Sequence, residues 1–211
     1  RRRKKRKGTT PRTNFNVSGD PAIVPFMKWL TGNGWRAVTP LRLTDFTLTT
    51  GRGLMTLRPI RTGDVIVSIP YDMLITCDYA EKQFLGSNKL LSSSSSSDNL
   101  VHSLRRLSPQ EMLSLFLLTE RSIGTSSRWY HYIRSLPDAF DVPYFCSEFE
   151  YFPEYLRSAC ESQRRLVSGA FEKLTDAGLV HRETAESEFA RAWFAVNTRA
   201  VYLDSKRGRH G

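Results

Sequence analysis

The spacing of apolar side chains divides the chain into a β-textured stretch and several amphipathic helices. Ile23, Val24, Phe26, Met27, Trp29 and Leu30 recur at helical intervals and predict a short helix, ended by Gly32 and Gly34, with its apolar face in the core. From Phe46 to Pro70 the texture becomes β. Leu54 to Ile60 and Val65 to Ile69 are short, partly β-branched apolar runs separated by the turn sequence Arg61-Thr62-Gly63-Asp64. Two antiparallel strands are the simplest reading, the second ended by Pro70, which cannot donate to a ladder. Asp72 to Phe84 reads as a helix with Met73, Leu74, Tyr79 and Phe84 on its apolar side. Six serines, Ser92 to Ser97, then read as a flexible loop, whose length costs little because closure entropy grows only logarithmically.

The second half reads as helical. Ser108 as N-cap and Pro109 at the first helical position open a helix whose Met112, Leu113, Leu115, Phe116, Leu117 and Leu118 leave few polar faces, so it is expected to be buried. A helix over 128–134 carries Trp129, Tyr132 and Ile133 and is broken at Leu136-Pro137. Residues 138–152 are irregular and aromatic. Glu154 to about Asp176 predicts a helix with Leu156, Leu166, Val167, Ala170, Phe171 and Leu174 inward. A last helix from about Glu186 to Tyr202 carries Phe189, Trp193, Val196 and Ala200 three or four apart, and its stripe ends beside Thr198 and Arg199.

Composition adds location to this pattern. The chain has 211 residues, 40% hydrophobic and 11% aromatic, which excludes a wholly disordered or collagen-like polypeptide and suits one domain with appendages. No apolar run approaches the roughly 18 residues of a membrane span. The net charge of +10 lies at the ends. Residues 1–12 carry +8 and residues 204–211 carry +2, so the body between them is neutral. Residues 1–21 are too polar to repay ordering entropy and are expected to be a disordered tail. Arg1 to Lys7 reads either as a nuclear-localisation run or as a solvated tail. It is not a signal peptide, since no apolar stretch follows it. Cys77, Cys146 and Cys160 form no close pairs, which argues against structural zinc and against a disulfide framework. The chain begins with Arg and stops at Lys206-Arg207-Gly208-Arg209-His210-Gly211 with no apolar element closing it, and the expectation is an excerpt of a longer protein.

One spacing suggests chemistry. Gly51-Arg52-Gly53-Leu54 precedes the first apolar run, and paired glycines permit positive φ and close backbone approach to a ligand. A structural turn is the alternative. No third glycine and no following helix make a dinucleotide fingerprint, and no phosphate-cradling Gly-Lys-Ser/Thr loop is present.

The stretch from Gly51 through the Arg61–Asp64 turn to Pro70 resembles the opening of a SET domain, G-x-G-L followed by strand, turn and strand. Trp129-Tyr130-His131-Tyr132 through Leu136-Pro137 resembles the W-x-x-Y-x-x-x-L-P segment in the helical insert of the Rubisco-methyltransferase-like branch. Val196-Asn197-Thr198-Arg199-Ala200-Val201-Tyr202-Leu203 resembles the end of that insert, with its T/S-R pair. The resemblance implies an α+β fold: a β-rich N-terminal SET part with a large helical insert, lacking the C-terminal SET strands and the helical substrate-binding domain. It divides the chain into a basic tail (1–21), a helix and the SET N-terminal part (22–85), a Ser-rich loop (86–100), the insert (101–203) and a terminal tail (204–211).

The resemblance also implies S-adenosylmethionine as cofactor and the ε-amine of a protein lysine, histone or other, as acceptor. Gly51, Arg52, Gly53, Leu54 and Met55 would contact the methionine moiety, Arg199 its carboxylate, and Thr198 would line the same pocket. Without the resemblance, Arg199 reads as a cation at a helix C-terminus, Thr198 as a helix-end hydroxyl bonding a carbonyl, and Trp129, Tyr132 and Trp193 as packing. The family's Asn-His-Ser-like stretch and its lysine-orienting tyrosine lie after the T/S-R pair, so the catalytic residues are expected downstream of Gly211 and residues 1–211 alone are expected to be inactive and marginal in stability. A non-catalytic module that binds chromatin or protein, with nucleic-acid contact confined to the basic tail, and a methyltransferase-like pseudoenzyme are the competing readings. The expected location is nucleus, cytoplasm or both, without membrane association.

Overall fold

The computed structural model describes residues 15–21, 23–46, 51–86, 97–147 and 151–202. These divide into two compact units, one up to Leu74 and one from Ile75 onward, and each is described by itself.

The first unit holds a helix and a small sheet. Helix α1 (Ile23–Gly32) ends as the sequence predicts: Gly34 adopts φ +88°, and the Trp35 amide donates to the Leu30 carbonyl. Its apolar face is less covered than expected. Ile23 is buried, Phe26, Trp29 and Leu30 are half-covered, and Met27 is exposed. Strands β1 (Phe15–Asn16), β2 (Leu41–Phe46) and β3 (Gly51–Thr56) form an antiparallel sheet in chain order. In the β2–β3 register Leu41 faces Thr56, Thr44 faces Gly53 and Phe46 faces Gly51.

This sheet corrects the expected pairing. The first apolar run is a strand, but it starts at Gly51, ends at Thr56 and takes β2 as its partner. Val65 to Ile69 joins no ladder among the described residues. The intervening turn does form. Gly63 adopts φ +93°, the Asp64 amide donates to the Arg61 carbonyl, and the Asp64 carboxylate accepts from the Arg61 amide at 2.9 Å. The buried Thr39 hydroxyl tethers the segment that follows by donating to the Val65 carbonyl at 2.6 Å. Val65, Ile66, Val67 and Ile69 remain exposed.

The second unit is helical. Helix α2 (Cys77–Gly86) begins five residues later than the apolar spacing suggested, because Thr76 caps it by accepting from the Tyr79 amide at 3.1 Å. Asp72 sits instead in a single 3-10 turn, Tyr71–Met73, at the end of the first unit. Most of the serine loop lies outside the described residues, but Ser97 opens helix α3 (Ser97–Arg105), anchored by the wholly buried Leu104. Helices α4 (Pro109–Ile123), α5 (Tyr130–Ser135), α6 (Glu154–Asp176) and α7 (Glu186–Arg199) follow.

Helix α4 is the centre of this unit, buried along most of its length and packed chiefly on α7. Its start is a complete capping box: Ser108 Oγ accepts from the Glu111 amide, and the Glu111 carboxylate accepts from the Ser108 amide at 2.7 Å. Lys173 of α6 reaches the same carboxylate at 2.9 Å. Val167, Ala170 and Leu174 of α6 are buried as expected, but Leu166 is exposed, because it lies on the flank of that stripe rather than within it. On α7, Phe189, Trp193 and Val196 are buried as expected. The helix ends at Arg199, so Ala200 to Tyr202 lie beyond it and are exposed.

The Glu111 cluster gives a pH prediction. Burial acts to raise this carboxyl, but the hydrogen bonds from Lys173 and Ser108, with the Lys173 charge, outweigh it and hold the group below the ordinary glutamate range. A carboxyl lowered in the folded state contributes stability above its unfolded pKa, and that contribution is lost as pH falls through its folded pKa. Lys173→Met is expected to cost about 2 kcal/mol at neutral pH. It should also flatten the acid side of the stability–pH curve, read as urea midpoints from pH 7 down to pH 3.

Candidate functional site

The residues singled out from sequence fall in both units. Gly51, Arg52, Gly53, Leu54 and Met55 all lie on β3 in the first. The glycine pair therefore belongs to the strand rather than preceding it, and the two glycines have different reasons to be glycine. Gly51 adopts φ +68°, a conformation that a side chain disfavours, and open space stands where its Cβ would be. At Gly53 a Cβ would stand 3.1 Å from the Phe46 ring, so the close approach required there is to Phe46. Arg52 faces Asp45 across the ladder. Leu54 is exposed, and Met55 is half-covered.

Thr198 and Arg199 close α7 in the second unit. The Thr198 hydroxyl donates to the Phe194 carbonyl at 2.6 Å, the helix-end bond that the residue type alone suggested. Thr198 Oγ1 also accepts from Arg199 Nη1. The Arg199 guanidinium lies over the Phe140 ring, 5.3 Å from its centroid. It also acts on Tyr132: burial pushes that phenol up, and the nearby Arg199 charge partly offsets the rise. The site thus joins the end of α7 to α5 and to the irregular segment after it. Phe140 and Tyr132 were not assigned to it from sequence. Their separation from Arg199 along the chain hides the contact, and the aromatic character of 138–152 was the one available signal.

The packing assigned to Trp129 and Trp193 is seen, since both are buried. The Trp129 Nε1–H donates to the Tyr79 hydroxyl at 3.2 Å, and its ring meets Tyr79 and Tyr132 edge to face. Among the described residues no three His, Cys, Asp or Glu side chains come together to hold a metal, and no helix is long and apolar enough to cross a membrane.

The helical unit thus carries an oriented arginine fork at a helix end, and the other unit carries a three-stranded sheet with a G-x-G strand. Solved structures with the same architecture give it a class. A structure of Rubisco LSMT bound to sinefungin and monomethyllysine is 26% identical, covers 82% of this chain and 39% of its own, and superposes with a TM-score of 0.63. A SET domain of LSMT bound to methyllysine and AdoHcy matches equally well, with a TM-score of 0.64. The chain is related to the SET-domain methyltransferases of the Rubisco-LSMT-like branch.

Within that branch it is similar to SET domain-containing protein 4. The human protein is 29% identical over 96% of this chain, and the mouse protein 30% over 98%. The actin-histidine N-methyltransferase of Gallus gallus is 30% identical over 74% of this chain and 23% of its own length. The chain spans about half the length of the SET domain-containing protein 4 relatives it matches, 46% of the human protein and 47% of the mouse one. No protein-family model matches it.

Proposed function

We propose that this chain carries cofactor-binding residues of an S-adenosylmethionine-dependent protein N-methyltransferase. The observation that carries the reading is the end of α7. Arg199, bonded to Thr198 and seated over Phe140, presents a planar fork suited to a carboxylate. The solved relatives were captured with sinefungin or AdoHcy. The residues fit such a ligand, because Arg199 is exposed at its helix end and the open backbone at Gly51 lets a ligand approach. In the second unit Arg199 with Thr198 would hold the ligand's carboxylate; in the first, Gly51 to Met55 are a separate candidate for backbone contact with its methionine moiety. When bound, the cofactor supplies an electrophilic methyl group for in-line transfer to a neutral amine held about 3–3.5 Å away.

The acceptor in this reading is a protein lysine, supported by the methyllysine held in the LSMT structures. Histidine is the second reading, favoured by the similarity to actin-histidine N-methyltransferase. In this reading residues 22–85 are a helix and the N-terminal part of the SET domain, 101–203 are the insert, histone is among the substrates, and the location is nucleus, cytoplasm or both. A reporter carrying residues 1–12 should accumulate in nuclei, and uniform distribution would count against that.

Titration calorimetry tests the central claim. The chain is expected to bind S-adenosylmethionine saturably but weakly, through the methionine end rather than the adenine, and absence of binding overturns the reading. Because the resemblance puts the adenine-holding stretch and the lysine-orienting tyrosine after the T/S-R pair, residues 1–211 alone are expected to transfer no labelled methyl to histone or other lysine-rich protein. Measured incorporation would refute that expectation.

A further inference from the structure

We propose that Phe140 is a positioning residue for Arg199, holding the guanidinium in the orientation that receives the cofactor carboxylate. The inference rests on the cofactor reading given above. An exposed arginine has a long flexible stem, and every rotamer it samples away from the ligand weakens binding, because ordering that stem opposes association. Here two supports oppose that freedom. One is the bond from Nη1 to Thr198 Oγ1, whose hydroxyl is itself spent on the Phe194 carbonyl at 2.6 Å. The other is the Phe140 ring face, 5.3 Å from the guanidinium carbon and within cation–π range.

Both supports lead back to Phe194. Phe140 lies in an irregular stretch after the Leu136-Pro137 break, where no helix fixes its ring. Its ring is held instead by stacking on Phe145, with centroids 6.4 Å apart and planes 23° from parallel. Phe145 packs in turn on Phe194 at 5.2 Å. Phe194 is buried on α7, one turn before Thr198. One buried side chain thus anchors the hydroxyl below the guanidinium through its carbonyl and the ring beside it through its own ring. The nearby half-buried Tyr132, whose phenol feels the Arg199 charge, is consistent with a guanidinium held on this side of the helix end. A merely structural Phe140 would serve ligands with and without a carboxylate equally, whereas a positioning Phe140 serves the carboxylate.

The test compares S-adenosylmethionine with its decarboxylated analogue by calorimetry on the full chain. Phe140→Leu is expected to weaken S-adenosylmethionine by about three- to ten-fold and to leave the decarboxylated analogue unchanged. Phe140→Trp, which keeps an aromatic face, should restore affinity. Pentafluorophenylalanine at position 140 keeps the shape but inverts the ring quadrupole, and it should weaken binding as leucine does, which keeps the idea testable should the leucine variant fold poorly. An unchanged affinity in the leucine and pentafluoro variants while Arg199→Met weakens binding overturns the proposal. So does equal weakening of both ligands, which would make Phe140 a packing residue. If the unaltered chain binds neither ligand, the cofactor reading fails, and this inference with it.

Discussion

Trp129→Ala is expected to destabilise the helical unit by about 3–5 kcal/mol. The indole is almost wholly buried, at 2% exposure, and packs against Tyr79 of α2 and Tyr132 of α5. Its removal leaves a cavity and also strands the Tyr79 hydroxyl that accepts its N–H. The backbone around it is fixed separately. The Trp129 amide donates to Ser127 Oγ at 2.9 Å, and that hydroxyl donates to the buried Glu120 carboxylate at 2.6 Å. These bonds survive the truncation, so the loss reports side-chain packing. Trp129→Phe retains most of the volume, gives up the N–H bond, and should cost about 1–2 kcal/mol. Guanidinium or urea midpoints with unchanged slopes would measure both. A loss below 1 kcal/mol for the alanine variant would mean that the site collapses or takes up water.

Arg199→Met is expected to weaken S-adenosylmethionine by about 10- to 100-fold, the equivalent of losing a charge-assisted pair worth about 1.5–3 kcal/mol. Arg199→Lys should fall between that variant and the unaltered chain, because the charge stays while the planar fork is lost. Stability should change little, since the guanidinium is exposed. Thermal melts alongside calorimetry separate the two quantities. Equal affinities in all three proteins would remove Arg199 from the cofactor site.

What the sequence revealed followed how local each feature is. The helix start with Ser108 as N-cap and Pro109 at the first position is written in adjacent residues, and the structure shows it. Helix α6 spans Glu154–Asp176 as its apolar period required. The sheet was misread because pairing is a non-local choice. Leu54 to Ile60 and Val65 to Ile69 look like a hairpin across a good turn, yet β3 pairs with Leu41–Phe46, whose Arg42, Thr44 and Asp45 give a weak β signal. Thr44 is nevertheless buried, which no propensity would suggest. Within the candidate site, Thr198 and Arg199 were singled out only by the resemblance to the T/S-R pair; their place at the end of an apolar stripe by itself gave no more than a helix end. The ring of Phe140 beneath the guanidinium was not, because nothing in the spacing of residues 138–152 points toward α7.

The segment after the Arg61–Asp64 turn has a consequence for handling the protein. Val65, Ile66 and Val67 are consecutive, β-branched and exposed, so both sides of an extended stretch present hydrocarbon while its backbone joins no ladder among the described residues. Such a stretch is a template on which another chain can add a strand, and no charge interrupts it before Pro70. Concentrated solutions should therefore turn turbid in a concentration-dependent way. A single gatekeeper lysine, Ile66→Lys, should raise the soluble limit while leaving the melting temperature nearly unchanged.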